Sequence, residues 1–233
     1  MYAHTELVVG VNDAGRTVLR RTHCEVPLVV RVSDTCDGSL TLLFVNAAAG
    51  PLGGDDLHLS VVVEEGASVR VRSVGASMVQ PGATPASSSL RTSLTVGENA
   101  NVAWELEPTV SVVESTHRSS TLAHLAVTSS LWLRETICLG RFGEPSGTLA
   151  IHQRITVDGT AVLDHETVFG GGAFLGPGAH GRHRVHRSTV IAGDDAPTLS
   201  SSSVTPEAVS GTFPLCDRIA LCTSSADTLT LLV

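Results

Sequence analysis

Acidic side chains gather where this chain turns. Asp55 and Asp56 follow Gly53-Gly54, Glu64 and Glu65 precede Gly66, Glu105 and Glu107 flank Leu106 before Pro108, and Glu135 and Glu144 lie on either side of Gly140-Arg141-Phe142-Gly143. A carboxylate in such a place can stand in water, pair with a guanidinium, or lend an oxygen to a cation. Glu64 and Glu65 read as solvated. Asp55 differs, because two glycines before it permit positive φ and a close backbone approach, and an alternating apolar run follows. Glu135 continues the buried-looking series Leu131 and Leu133, with Arg134 and Arg141 near it in sequence. A structural ion pair of Glu135 or Glu144 with Arg141 is therefore the first expectation, and metal handling the second.

Imidazoles form a second group. His180, His183 and His186 recur every third residue in a Gly-flanked stretch that also holds Arg182, Arg184 and Arg187. Histidine is a good ligand for nickel and its neighbours. The glycine-rich lead-in from Gly170 predicts a flexible loop, so these residues read first as a surface or partner contact and second as weak candidate metal ligands. Serine, histidine and aspartate are abundant, but no Gly-x-Ser-x-Gly elbow and no His-Glu-x-x-His helix motif occurs. The chain reads as not an enzyme.

The composition excludes more. All 15 basic residues are arginine, so neither a lysine-bearing phosphate loop nor Schiff-base chemistry is available, and no nucleotide site is expected on this chain. The formal net charge of −8 argues against nucleic acid as a partner. Five cysteines without a Cys-x-x-Cys pair suggest reduced thiols rather than a disulfide framework or a zinc site. No apolar run reaches membrane-spanning length and no signal peptide is evident, which predicts a soluble, cytoplasmic protein without a membrane partner. Mean hydropathy of +0.22 with only 16% charged residues suggests apolar contact surfaces.

These side chains must be carried by strands. Valine, threonine and serine are frequent, and aromatics reach only 3%. Residues 57–63 alternate strictly, Leu57, Leu59, Val61 and Val63 against His58, Ser60 and Val62. An opening hairpin turns at Asn12-Asp13-Ala14-Gly15, and strands follow over 28–32 and 40–45. Four segments echo one another: Val63 to Val69, Val96 to Val102, Val127 to Leu133 and Val157 to Leu163, each with apolar residues six apart across a polar turn. The period of about 30 residues suggests stacked units, each of two strands joined by a tight turn. Residues 194–203 read as a polar linker. Thr205-Pro206 reads as the N-cap and first residue of a short helix. The expected fold is a single all-β domain over residues 1–233, with at most one or two short helices near the C-terminus.

In this order, Gly53-Gly54-Asp55, Trp104-Glu105-Leu106-Glu107-Pro108 and Arg134-Glu135 through Gly140-Arg141, Glu144 and Gly147 resemble the UreD/UreH family of urease accessory proteins, over roughly residues 27–163. The resemblance implies a layered, helical, solenoid-like β architecture. It implies a scaffold that binds apo-urease and the accessory protein UreF, which recruits the GTPase UreG, while nickel passes toward urease without being tightly bound. Asp55, Glu135, Arg141 and Glu144 are the residues that carry over as nickel-transit or structural candidates. The chain departs from the family at Ala48 to Leu52 and at Ser73 to Gly82. The alternative is a β protein-binding module with no metal role.

Overall fold

The computed structural model describes residues 1–34, 39–170 and 183–232. Eighteen strands follow in order: β1 (Tyr2–Val11), β2 (Thr17–His23), β3 (Leu28–Asp34), β4 (Leu40–Asn46), β5 (Asp56–Val63), β6 (Ser68–Ser73), β7 (Ser77–Val79), β8 (Ser88–Val96), β9 (Asn101–Glu105), β10 (Thr109–Ser111), β11 (Thr116–Leu125), β12 (Ser130–Leu139), β13 (Thr148–Val157), β14 (Thr160–Phe169), β15 (Val185–Ala192), β16 (Ser201–Val204), β17 (Ala208–Cys216) and β18 (Ile219–Ala226). They form a seven-stranded sheet, β14-β13-β11-β8-β5-β1-β2, and an eleven-stranded sheet whose path is β16-β17-β18-β15-β12-β9-β6-β4-β3. The one helical element among the described residues is a 3-10 turn at Leu229–Leu231. No helix there is long and apolar enough to cross a membrane.

The stacked units are present, but they are not hairpins. Val63 ends β5 in one sheet, and Val69 lies on β6 in the other. The same crossing joins β8 to β9 and β11 to β12. Strands of successive units then pair in parallel: β5 with β8, β8 with β11, β6 with β9 and β9 with β12. An arch and a hairpin share the same local signal, because both point residues i and i+6 toward one interior. One further correction follows, and the fourth segment is as expected. The third arch turns between Leu125 and Leu131, and Val127, expected inside, stands 53% exposed at its crest. The fourth segment is a true hairpin, β13 antiparallel to β14, turned by Asp158 and Gly159 at φ 46° and 77°. The opening hairpin of β1 and β2 forms where expected.

The arches stack as well as the strands. Gly66 N–H donates to Glu98 O at 2.9 Å, and Asn101 N–H donates to Ala67 O at 2.9 Å. Between the sheets, Val9, Leu42, Val63, Val71, Leu94 and Leu133 are fully buried, each leucine contributing about 2 kcal/mol of hydrophobic stabilisation. At the opposite end, long loops pack backbone to backbone. A Cβ on Gly53 would fall 2.6 Å from both Gly82 N and Ala86 O, so the neighbouring loop requires glycine at this motif position.

The expected helix at Thr205 is instead the turn between β16 and β17. Thr205 Oγ1 accepts the Ala208 N–H at 3.0 Å, the bond an N-cap would make, but the chain then pairs with β18. The polar linker correspondingly ends in strand at Ser201.

Candidate functional site

The two sheets differ in width, and the difference makes a cavity. Beyond β13 and β14 the narrow sheet stops, while the wide one continues through β15, β18, β17 and β16. The splayed region encloses about 410 Å³, lined on one side by Ile151, Gln153, His165, Thr167 and Phe169, and on the other by Glu135, His186, Ser188, Val204, Val209, Gly211, Phe213, Leu221 and Thr223. Strand alternation aims these side chains inward. On β12 the series Leu131, Leu133, Glu135, Ile137 all face the other sheet, and Glu135 is its one acid.

Glu135 is held by neutral donors. Thr121 Oγ1 donates to its Oε1 at 3.3 Å, and Gln153 Nε2 donates to its Oε2. Ser188 Oγ in turn donates to Gln153 Oε1 at 2.9 Å. The chain Ser188, Gln153, Glu135, Thr121 thus ties both sheets together through polar groups in a mainly apolar interior. Burial pushes the Glu135 carboxyl above its ordinary range, and the bonds from Gln153 and Thr121 only partly offset this. The expected arginine partner is not there. Arg134 faces the outside and pairs with Glu105 at 3.1 Å, and Arg141 takes Glu144.

The pair of Arg141 and Glu144 does form, as a two-pronged contact in the loop after β12. Arg141 Nε donates to Oε2 at 2.8 Å and Nη2 to Oε1 at 2.7 Å. The guanidinium holds the Glu144 carboxyl at about 2. Arg184 braces the same loop, donating from Nη2 to the carbonyls of Leu139, Arg141 and Glu144 at 2.7, 2.9 and 2.7 Å. Gly140, at φ 76°, brings the backbone close enough for that clamp. Asp55 lies elsewhere, at the start of β5 and 7% exposed. Its Oδ1 accepts the Met1 ammonium at 2.9 Å, and its Oδ2 accepts the Leu52 N–H at 2.9 Å. Arg141 and Glu144 are therefore together, while Asp55 and Glu135 each stand in separate surroundings.

Two of the three histidines are described; His180 lies outside the described residues. His186 Nε2 must carry its proton, since it bonds the His183 carbonyl at 3.1 Å, so its Nδ1 accepts from Ser225 Oγ at 2.7 Å. The ring lies 4.8 Å from that of Phe169 and forms part of the cavity wall. His183 Nδ1 instead meets Asp227 Oδ1 at 3.0 Å. No group of three His, Cys, Asp or Glu side chains among the described residues could hold a metal ion. Sequence reasoning missed Gln153 and Ser188. The signal for Gln153 was present, because it interrupts Leu149, Ile151 and Ile155 at an inward position.

The family comparison decides what this frame is. The UreD urease accessory protein family matches residues 2–224. The chain belongs to the UreD family. Among curated relatives, the urease accessory protein UreD of Frankia alni is 34% identical over 215 residues, covering 84% of this chain and 70% of the relative. That of Streptomyces coelicolor is 33% identical over 215 residues, covering 91% and 85%. The UreD 2 protein of Saccharopolyspora erythraea is 33% identical over 189 residues, covering 80% and 67%. The resemblance read over residues 27–163 thus extends over most of this UreD-family chain, into the β15 to β18 region that walls the cavity.

Proposed function

We propose that this UreD-family chain is a non-catalytic scaffold for urease maturation in the cytoplasm. It binds apo-urease and the helical accessory protein UreF, which brings the GTPase UreG, and it borders the route by which nickel reaches the urease active site. The observation that carries the reading is Glu135, the one carboxyl lining a cavity that also presents hydroxyls from Thr167, Ser188, Ser202, Ser210 and Thr223, the imidazoles of His165 and His186, and Arg187. Neutral oxygen donors and one acid hold a divalent ion loosely, with its water largely retained; the imidazoles, which bind nickel more tightly, are engaged, His186 with Ser225 and the His183 carbonyl and His165 with Thr167. Phe142, fully exposed at the tip of the Arg141–Glu144 loop, suits an apolar anchor in a partner's pocket.

The test is urease activation in cells lacking this chain, then in cells supplied with Asp55→Ala or Glu135→Ala. Activation should fail without the chain and fall with Glu135→Ala. A protein-binding module without a metal role predicts instead that Glu135→Gln supports full activation.

A further inference from the structure

The outer face of the eleven-stranded sheet carries positive charge that the rest of the molecule does not explain. Register places Arg31, Leu43, Arg72, Glu105 and Arg134 in one row across β3, β4, β6, β9 and β12. The adjacent row holds Arg70 and Trp132, with Ala103 between them. All of these point away from the interior, by alternation with Leu42, Val71, Trp104 and Leu133. Arg134 is neutralised by Glu105. Arg31, Arg70 and Arg72 are exposed, and none of the ion pairs among the described residues involves them.

The opposite face shows that this is not the habit of the fold. There Arg91 meets Asp56, Arg118 meets Glu166 and Arg154 meets Asp164. A chain of net charge −8 that leaves three guanidiniums open on one flat face presents a surface complementary to carboxylates. Trp132, 40% exposed, adds a rigid apolar anchor, and a groove of about 200 Å³ beside it, bordered by Arg70 and by Asp194 and Asp195, of which Asp194 is paired with Arg218, can receive an apolar side chain.

Spacing narrows the partner. Arg31 and Arg72, the open guanidiniums of that row, lie on β3 and β6 with β4 between them, so their backbones are about 10 Å apart. Seven residues of α-helix rise about 10.5 Å. An extended strand offers same-face side chains at about 7 or 14 Å and fits less well. We infer that this face docks an acidic α-helix of another protein, laid across the strands with carboxylates recurring every seven residues and an apolar side chain against Trp132. The surface is separate from the cavity and from Glu135, so the inference stands or falls apart from the nickel route.

The probe is a synthetic alanine- and glutamine-rich helical peptide with glutamate at every seventh residue, titrated into the full chain to millimolar concentration. Emission of Trp132 is the readout, since Trp104 is buried. Saturable binding is expected that weakens at least tenfold between 50 and 300 mM salt, in the sense that screening requires. Arg72→Ser should weaken it at least tenfold, and Arg91→Ser on the other sheet should leave it unchanged. A peptide of the same composition with glutamate at every fifth residue should bind at least tenfold more weakly. Equal binding of the two peptides, or indifference to Arg72→Ser, would overturn the inference. A single-stranded oligonucleotide of equal charge that displaces the peptide at lower concentration would assign the face to polyanions and overturn it too.

Discussion

Between β1, β4, β5, β6 and β8 the two sheets meet through Leu7, Leu42, Val61, Val71 and Leu94, none more than 1% exposed. Between β13–β14 and β15–β18 they part around a cavity of about 410 Å³. The inward alternation is the same in both regions. What changes is the side chain at each inward position: β15, β18 and β17 place Ser188, Thr223 and Gly211 where earlier strands place valine or leucine. An interior can be hollowed without changing its backbone when a sheet outruns its cover and small polar residues replace large apolar ones. Glu135 sits at the border, with leucine behind it and the cavity ahead.

The largest expected difference is in stability. Leu133→Ala removes a fully buried side chain from the packed region and should cost about 2–5 kcal/mol, whereas Leu221→Ala should cost clearly less, because Leu221 is only partly buried and faces the cavity on one side. Urea denaturation of both variants measures the gap, and equal costs would remove the distinction.

Next comes acid. His117 is buried beside Ser88 Oγ at 2.8 Å, and desolvation holds its imidazole at about 4. Its folded value is depressed, so folding opposes its protonation. The contribution is complete above about pH 6.5 and is lost as pH falls toward 4, a shift worth about 3 kcal/mol. Replacing His117 with Gln should flatten stability across that window; a wild-type profile without a decline there would contradict the assignment.

Glu135 carries the opposite sign. Its folded value is raised, so its contribution is present at low pH and is lost as pH rises through that value. Glu135→Gln keeps hydrogen-bonding capacity toward Gln153 and Thr121 while removing the charge. Thermal melts of this variant should gain on wild type progressively as pH rises from 4.5. A constant difference would mean the carboxyl is not desolvated. The smallest effect belongs to Arg141→Ser, whose exposed pair with Glu144 is screened by water and should change melting within the scatter of surface substitutions.

The strands and much of the core were legible, because residues 57–63 and 131–137 alternate wherever one face is buried. The parallel stacking was not. A partner roughly 30 residues away leaves no local trace, and Val63 to Val69 satisfies an arch and a hairpin equally. Thr205-Pro206 misled for a related reason, since its hydroxyl makes the same bond at a helix start and in this turn; the alternation from Val209 to Phe213 was the better guide. At the site, the pairing of Arg141 with Glu144 was legible at three residues' separation. The neutral cage around Glu135 was not, because Thr121, Gln153 and Ser188 come from three strands.

The central claim is tested most directly by the nickel content of urease purified from cells whose only copy of this chain carries Glu135→Gln. If the cavity carboxyl helps pass the ion, the variant remains folded, stays bound to the urease assembly, and leaves the enzyme with markedly less metal. Urease loaded as fully as with the unaltered chain would contradict that account.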